Sequence, residues 1–352
     1  MTSDRWLLYG AYGYTGELIA REAVDRGLDP ILAGRNREKV DRLAADLDCE
    51  SRVFSLADPG LEGHLDDVNL VLNCAGPFVD THEPLVAACL DSDTHYLDVT
   101  GEIEVFESIR ENDDRARRAD LTLLPGVGFD VVPSDCLAAH LVERLPEAES
   151  LAIGYQPAGG FSPGTLKTAI AGLGEDALVR RDGGLEPATV GQTTREIDFG
   201  DGPVPAMTVP LGDVSTAYHT TGVPNIECYL AVPPGATRWL RYQRYLDPIL
   251  ALGPVQTLLA KLVDRLIEGP DAETRAETTA TLWGEVSNGD ATRVSRLRTP
   301  NVYRTTKLAA LEVVERVLAG DAPAGHQTPA SAFGPELILS IEGVERIDEW
   351  HR

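Results

Sequence analysis

The chain has 352 residues, the length of two domains, and 43% of them are apolar, which excludes a disordered or fibrous polymer. Fifty-six Asp and Glu against 31 Lys and Arg leave a formal charge of -25, a field that repels phosphate backbones, and no basic patch overcomes it, so nucleic acid is excluded as a partner. Lysine stands only at Lys39, Lys167, Lys261 and Lys307 and the acids are spread along the chain, as expected of a halophilic protein whose acidic surface is screened by salt; an ordinary acidic protein is the competing reading.

From the amino end, Met1-Thr2-Ser3-Asp4-Arg5 runs almost directly into a strand and leaves no room for a signal peptide. No window approaches the roughly 20 apolar residues of a membrane span. The five cysteines are scattered, with no metal-ligand spacing, and read as small buried side chains in a reducing compartment. A cytoplasmic protein without a metal site is expected. Short apolar runs then alternate with amphipathic segments, the rhythm of βα units around a parallel sheet. Strands are expected at 5–9, 30–33, 51–54, 69–72, 95–99 and 121–124, and helices at 17–26, 37–47, 82–90 and 104–118. Gly27 sits where a helix end wants positive φ. The pattern predicts a Rossmann-type, doubly wound α/β domain over 1–133.

After Pro133 a helix is expected at 134–144, and then the texture changes. Strand-like alternation at 195–199, 206–211, 227–232, 275–286 and 291–297 predicts antiparallel strands of a second, α+β domain over 134–299, with a loop-rich stretch at 156–164 near the domain junction. A long helical segment at 239–267 interrupts these strands, and a helix at 302–318 follows them.

The most informative stretch is Gly10-Ala11-Tyr12-Gly13-Tyr14-Thr15-Gly16, between the first strand and the first helix. Such a turn presents backbone N–H groups and a positive helix end to a pyrophosphate: Gly10 makes the sharp turn, Gly13 allows close approach, and Gly16 permits helix packing. At the end of the second strand, where an acid would bind the ribose of NAD, the chain reads Gly34-Arg35-Asn36-Arg37. Guanidinium forks suit a 2′-phosphate, so NADP(H) is preferred over NAD(H). At the end of the fourth strand, Asn73, Ala75, Gly76 and Pro77 are placed along the nicotinamide ribose.

These motifs, with Tyr96-Leu-Asp-Val-Thr-Gly-Glu102 and Leu124-Pro-Gly-Val-Gly-Phe-Asp-Val-Val-Pro133, resemble the saccharopine dehydrogenase-like oxidoreductases, and most of all their trans-acting enoyl reductase branch. The resemblance implies a Rossmann domain completed by the C-terminal segment 300–352, a second domain with a mixed sheet, and NADP(H) as cofactor. It does not fix the substrate.

A nicotinamide reductase needs a hydride donor close to the acceptor carbon and a group that handles a proton. Asp98 and Glu102, at the end of the fifth strand, and His219, reaching over from the second domain, are the candidates, with helix capping the competing role for Glu102. The segment 238–267 is locally basic and apolar-faced, and is read either as an interfacial helix touching a membrane or as a core or homodimer contact. The leading expectation is an NADPH-dependent reductase of a lipid-like enoyl substrate. The alternatives are a saccharopine-type imine reductase, which needs paired arginines such as Arg180 and Arg181 to clamp carboxylates, and a non-catalytic NADP-binding scaffold.

Overall fold

The computed structural model describes residues 5–157, 177–233, 255 and 278–349. The chain divides into two compact units. The first takes in 1–140, 215–222 and 303–342, and the second 141–214, 223–302 and 343–352.

In the first unit the apolar runs become short strands: β1 (Trp6–Tyr9), β2 (Ile31–Gly34), β3 (Ser51–Val53), β4 (Leu70–Asn73), β5 (His95–Asp98) and β6 (Thr122–Leu124). A late strand, β15 (Gly325–His326), adds beside β6. The order β15-β6-β5-β4-β1-β2-β3, with every neighbour parallel, is doubly wound, and it reverses direction at β1 and β4. β1, β2 and β4 are buried at every position, which is why they read as unbroken apolar runs rather than as alternation. The core under one sheet face joins Leu7, Tyr9, Val71, Tyr96 and Leu123 to Leu85, Cys89, Val105 and Ile109 from the helices.

The connecting helices are α1 (Tyr14–Asp25), α2 (Arg37–Leu47), α3 (Phe78–Asp91), α4 (Ile103–Arg110), α5 (Asp113–Ala119) and α6 (Val132–Arg144). α1 ends as its glycine foretells: Gly27 has φ 76° and Leu28 N donates to Ala23 O at 2.9 Å. The single helix expected over 104–118 is two. The break after Arg110 lets Asp113, at the head of α5, accept the His326 N–H of β15 at 2.8 Å. The unit closes with α8 (Val302–Leu318) and α9 (Pro329–Phe333).

The second unit, among the described residues, is a mixed sheet of β7 (Ser150–Pro157), β8 (Ala177–Arg181), β9 (Gly184–Ala188), β10 (Thr194–Asp198), β11 (Pro203–Thr208), β12 (Asn225–Ala231), β13 (Thr279–Ser287), β14 (Thr292–Pro300) and β16 (Glu345–Glu349). The expectation of antiparallel strands holds except at β12, which pairs in parallel with β7. Its core is built on Ile197, Phe199, Ala206, Tyr229, Trp283 and Val294. The helix α7 (Asp213–Thr221) is not among the expected elements. The segment expected as helix at 239–267 lies outside the described residues apart from Val255, and of the loop-rich 156–164 only the end of β7 is described. All five cysteines are free thiols, with Cys89, Cys136 and Cys228 buried and Cys49 and Cys74 half-buried.

Candidate functional site

The glycine turn is built by contacts that leave no room for side chains. Gly10 has φ +78°, and a Cβ there would lie 2.8 Å from Ala75 N, so the loops after β1 and β4 touch through this hydrogen-only position. Gly10 N and Ala11 N both donate to Ala33 O, at 2.9 and 3.2 Å, and tie the turn to β2. A Cβ on Gly16 would lie 2.4 Å from Gly10 O and 3.0 Å from Ala11 Cα, so α1 rests directly on the turn. Gly13 precedes α1 in extended geometry and offers no capping side chain. The first-turn N–H groups of α1 therefore face outward as the positive end of the helix dipole. That cradle of backbone fits the diphosphate of a dinucleotide. Thr15 is half-buried in it, and Tyr14 is exposed, edge-on to Tyr303 at 4.9 Å.

Beyond β2 the expected phosphate-gripping residues separate. Arg35 is exposed. Asn36 accepts Lys39 N at 3.0 Å, so its side chain caps α2, and Arg37 lies 3.8 Å from Asp41. Tyr12 packs against Gly34, with its Cε1 2.7 Å from where a Cβ would stand.

The β4 loop is pinned from behind. Asn73 is fully buried: its Oδ1 accepts Ala75 N at 2.9 Å, and its Nδ2 donates to Thr81 Oγ1 and Tyr96 Oη, both at 3.2 Å. The side chain expected to touch cofactor is spent on shaping the loop, and the surface is left to Ala75, Gly76 and Pro77, the last two joined by a cis peptide. Glu102 completes the clamp. Its carboxylate accepts Phe78 N at 3.1 Å and Val79 N at 2.9 Å, so it caps α3 rather than the helix that follows it.

Asp98 is fully buried and accepts three donors: Thr100 N at 3.0 Å, Gly126 N at 2.9 Å and Tyr96 Oη at 3.0 Å. Burial pushes its carboxyl up to about 6 against the pull of those donors. Asp98, Tyr96, Asn73 and Thr81 thus form one hydrogen-bonded chain across the carboxyl ends of β4, β5 and β6.

His219 belongs to the first unit, which corrects its expected origin in the second domain: the stretch 215–222 of α7 folds with the sheet of the first unit. Its Nε2 lies 3.3 Å from Glu107 Oε1, which also accepts Ser215 Oγ at 2.7 Å. His326 stands edge-on to it at 5.8 Å, and burial first, then the neighbouring His219, pushes its imidazole down to about 4. No group of three or more His, Cys, Asp and Glu among the described residues is arranged to hold a metal ion.

Residues 6–124 match the family described as the saccharopine dehydrogenase NADP binding domain. The matched stretch lies within the first unit, from the start of its sheet at β1 to the end of β6. The human saccharopine dehydrogenase-like oxidoreductase is 27% identical over 207 residues, 50% of this chain and 47% of that protein. The trans-acting enoyl reductase of Mycobacterium leprae is 34% identical over 150 residues, 40% of this chain and 36% of that protein. The chain spans about half the length, or less, of these curated relatives. Saccharopine dehydrogenase (L-Glu forming) of Saccharomyces cerevisiae superposes with a TM-score of 0.67, covering 99% of this chain and all of that one at 12% identity, which shows a common fold.

Proposed function

We propose that the protein is an NADPH-dependent oxidoreductase that reduces a carbon–carbon double bond of a lipid-like enoyl substrate. The observation that carries the reading is the Gly10 to Gly16 cradle, closed to side chains on its inner side and uncapped at the start of α1, inside a matched NADP-binding domain. Bound there, the coenzyme supplies the hydride. The backbone of Gly13 to Gly16, including Tyr14 and Thr15, holds the diphosphate, Arg35 meets the 2′-phosphate, and Ala75, Gly76 and Pro77 run along the nicotinamide ribose.

Asn73, Asp98 and Glu102 are positioning residues: they fix the β4 loop and the start of α3, so the nicotinamide face is set before substrate arrives. Of the three side chains offered as proton carriers, His219 is the one not consumed in holding a loop, and its Nε2 faces Glu107 Oε1. The enoyl substrate is favoured over an imine made from an amino acid by the fate of two arginines in the second unit. Arg180 is buried and donates to Val214 O at 2.7 Å and Gly183 O at 2.9 Å, while Arg181 pairs with Glu227, so neither is free to clamp a carboxylate.

The test is single-turnover oxidation of protein-bound NADPH against a panel of long-chain enoyl acceptors and of amino acid plus oxo acid pairs. Oxidation by enoyl acceptors is expected. Turnover only with the amino acid and oxo acid pairs would overturn the substrate class, and tight NADPH binding without turnover on any acceptor would favour a scaffold.

A further inference from the structure

The glycine motif does not account for one cation beside it. Tyr12 stands in the glycine turn, and its contact with Gly34 holds the ring at the carboxyl end of β2. That is where the adenosine ribose of a dinucleotide lies in this fold. Lys39 reaches over the same ring, its Nζ 5.5 Å from the centroid, a cation–π separation. Its backbone is fixed as well, because Lys39 N donates to Asn36 Oδ1 in the cap that starts α2. Arg35, on the stretch between β2 and α2, is exposed on the approach to this notch.

Two acids on the neighbouring stretches are committed elsewhere. Asp41 accepts Ser51 Oγ at 2.9 Å and pairs with Arg37, and Asp58 accepts Ser55 N at 2.8 Å. Among the described residues neither Arg35 nor Lys39 makes an ion pair, although the chain carries 56 acids. Two cations without carboxylate partners, Lys39 over the Tyr12 ring and Arg35 directly after Gly34, thus stand on one short stretch of this acidic chain.

We propose that Lys39, carried over the ring of Tyr12, is the second cation of a subsite that grips the 2′-phosphate of the coenzyme's adenosine, with Arg35 as the first. This rests on NADPH being the coenzyme. Arg35 brings a planar fork that can take two phosphate oxygens, and Lys39 brings a compact charge to the third. Asn36, whose Oδ1 is spent on the cap of α2, does not share the role.

The test is calorimetric titration of the full chain with NADPH, NADH, adenosine 2′,5′-bisphosphate and 5′-AMP, in the wild type and in the Lys39→Gln, Lys39→Arg and Arg35→Gln variants. Arg42→Gln, an exposed position further along α2, serves as the control. Lys39→Gln is expected to weaken NADPH and the bisphosphate about tenfold, the weight of one charge-assisted contact, and to leave NADH and 5′-AMP within about twofold. Lys39→Arg should restore most of the loss, and Arg42→Gln should change nothing. If the wild type prefers NADPH and Lys39→Gln keeps that preference, this inference alone is overturned. Equal weakening of all four probes would mean a structural role and would overturn it too. A wild type that does not discriminate NADPH from NADH would overturn the coenzyme assignment, and the subsite with it.

Discussion

Replacing Asp98 by asparagine separates a structural carboxylate from a catalytic one. The folded chain holds this carboxyl up to about 6, from an ordinary value of 3.8, chiefly because it is fully buried. Below pH 3.8 the group is protonated folded or unfolded and costs nothing. Between 3.8 and 6 the unfolded chain releases its proton first, so stability falls as pH rises, and above 6 the penalty levels off at about 3 kcal/mol. The amide of the Asp98→Asn variant carries no such penalty. It does bring a cost of its own: its Oδ1 can still accept Thr100 N and Gly126 N, but its NH2 faces the Tyr96 hydroxyl, which already receives Asn73 Nδ2 and loses its acceptor. One unsatisfied buried O–H costs about 1–3 kcal/mol at any pH. The variant should therefore be less stable than the wild type by up to about that amount near pH 4, and by pH 7 lie between equal to it and about 2 kcal/mol more stable. Asp135, also buried and raised to about 6, is present in both proteins and cancels in the difference. Urea denaturation at about pH 4, 5, 6, 7 and 8 reads the difference directly. A stability difference that does not change with pH would refute the argument from burial, and loss of turnover with NADPH affinity unchanged would return Asp98 to the chemistry.

Gly16→Ala puts a Cβ 2.4 Å from Gly10 O, where only backbone can yield, so it should cost about 1–3 kcal/mol in thermal unfolding and weaken NADPH at least about tenfold. Gly27→Ala meets open space and pays only for its φ of +76°, so it should lose about 1 kcal/mol and bind coenzyme as the wild type does. Glu102→Gln removes a charge from the start of α3, and a loss of about 1 kcal/mol with a few-fold weaker affinity for NADPH and NADH alike is expected; affinity unchanged for both would detach Glu102 from the nicotinamide side. With -25 charges to screen, the melting temperature should climb between dilute buffer and molar KCl, and a salt-independent melt would dispose of the halophile reading.

What could be read from the sequence was local. The strand, glycine turn and helix from Trp6 to Asp25 are legible because each step rests on neighbours within a few residues, and the cap at Gly27 is of the same kind. The β8–β9 hairpin is equally legible, since Asp182-Gly183, with φ of 47° and 79°, is a tight-turn signal flanked by strand-like residues, yet the expected strands leave it out. The roles of Asn73 and Glu102 could not be read. Their partners, Tyr96 and Phe78, lie 23 and 24 residues away, and only the sheet brings them together. The same holds for β12 and β7, whose parallel pairing joins Asn225 to Ser150 across most of the second unit. It holds again for His219, assigned to one domain by its place in the chain and folded into the other by Glu107 and Ser215.

The turn from Gly10 to Gly16 is expected to bind a dinucleotide, with Arg35 favouring its phosphorylated form. Isothermal titration of the wild-type chain with NADPH and then with NADH tests it most directly. Saturable one-to-one binding of NADPH, at least about tenfold tighter than NADH, is the predicted result. The absence of heat with both nucleotides, together with no competition between them for a fluorescent analogue, would contradict it.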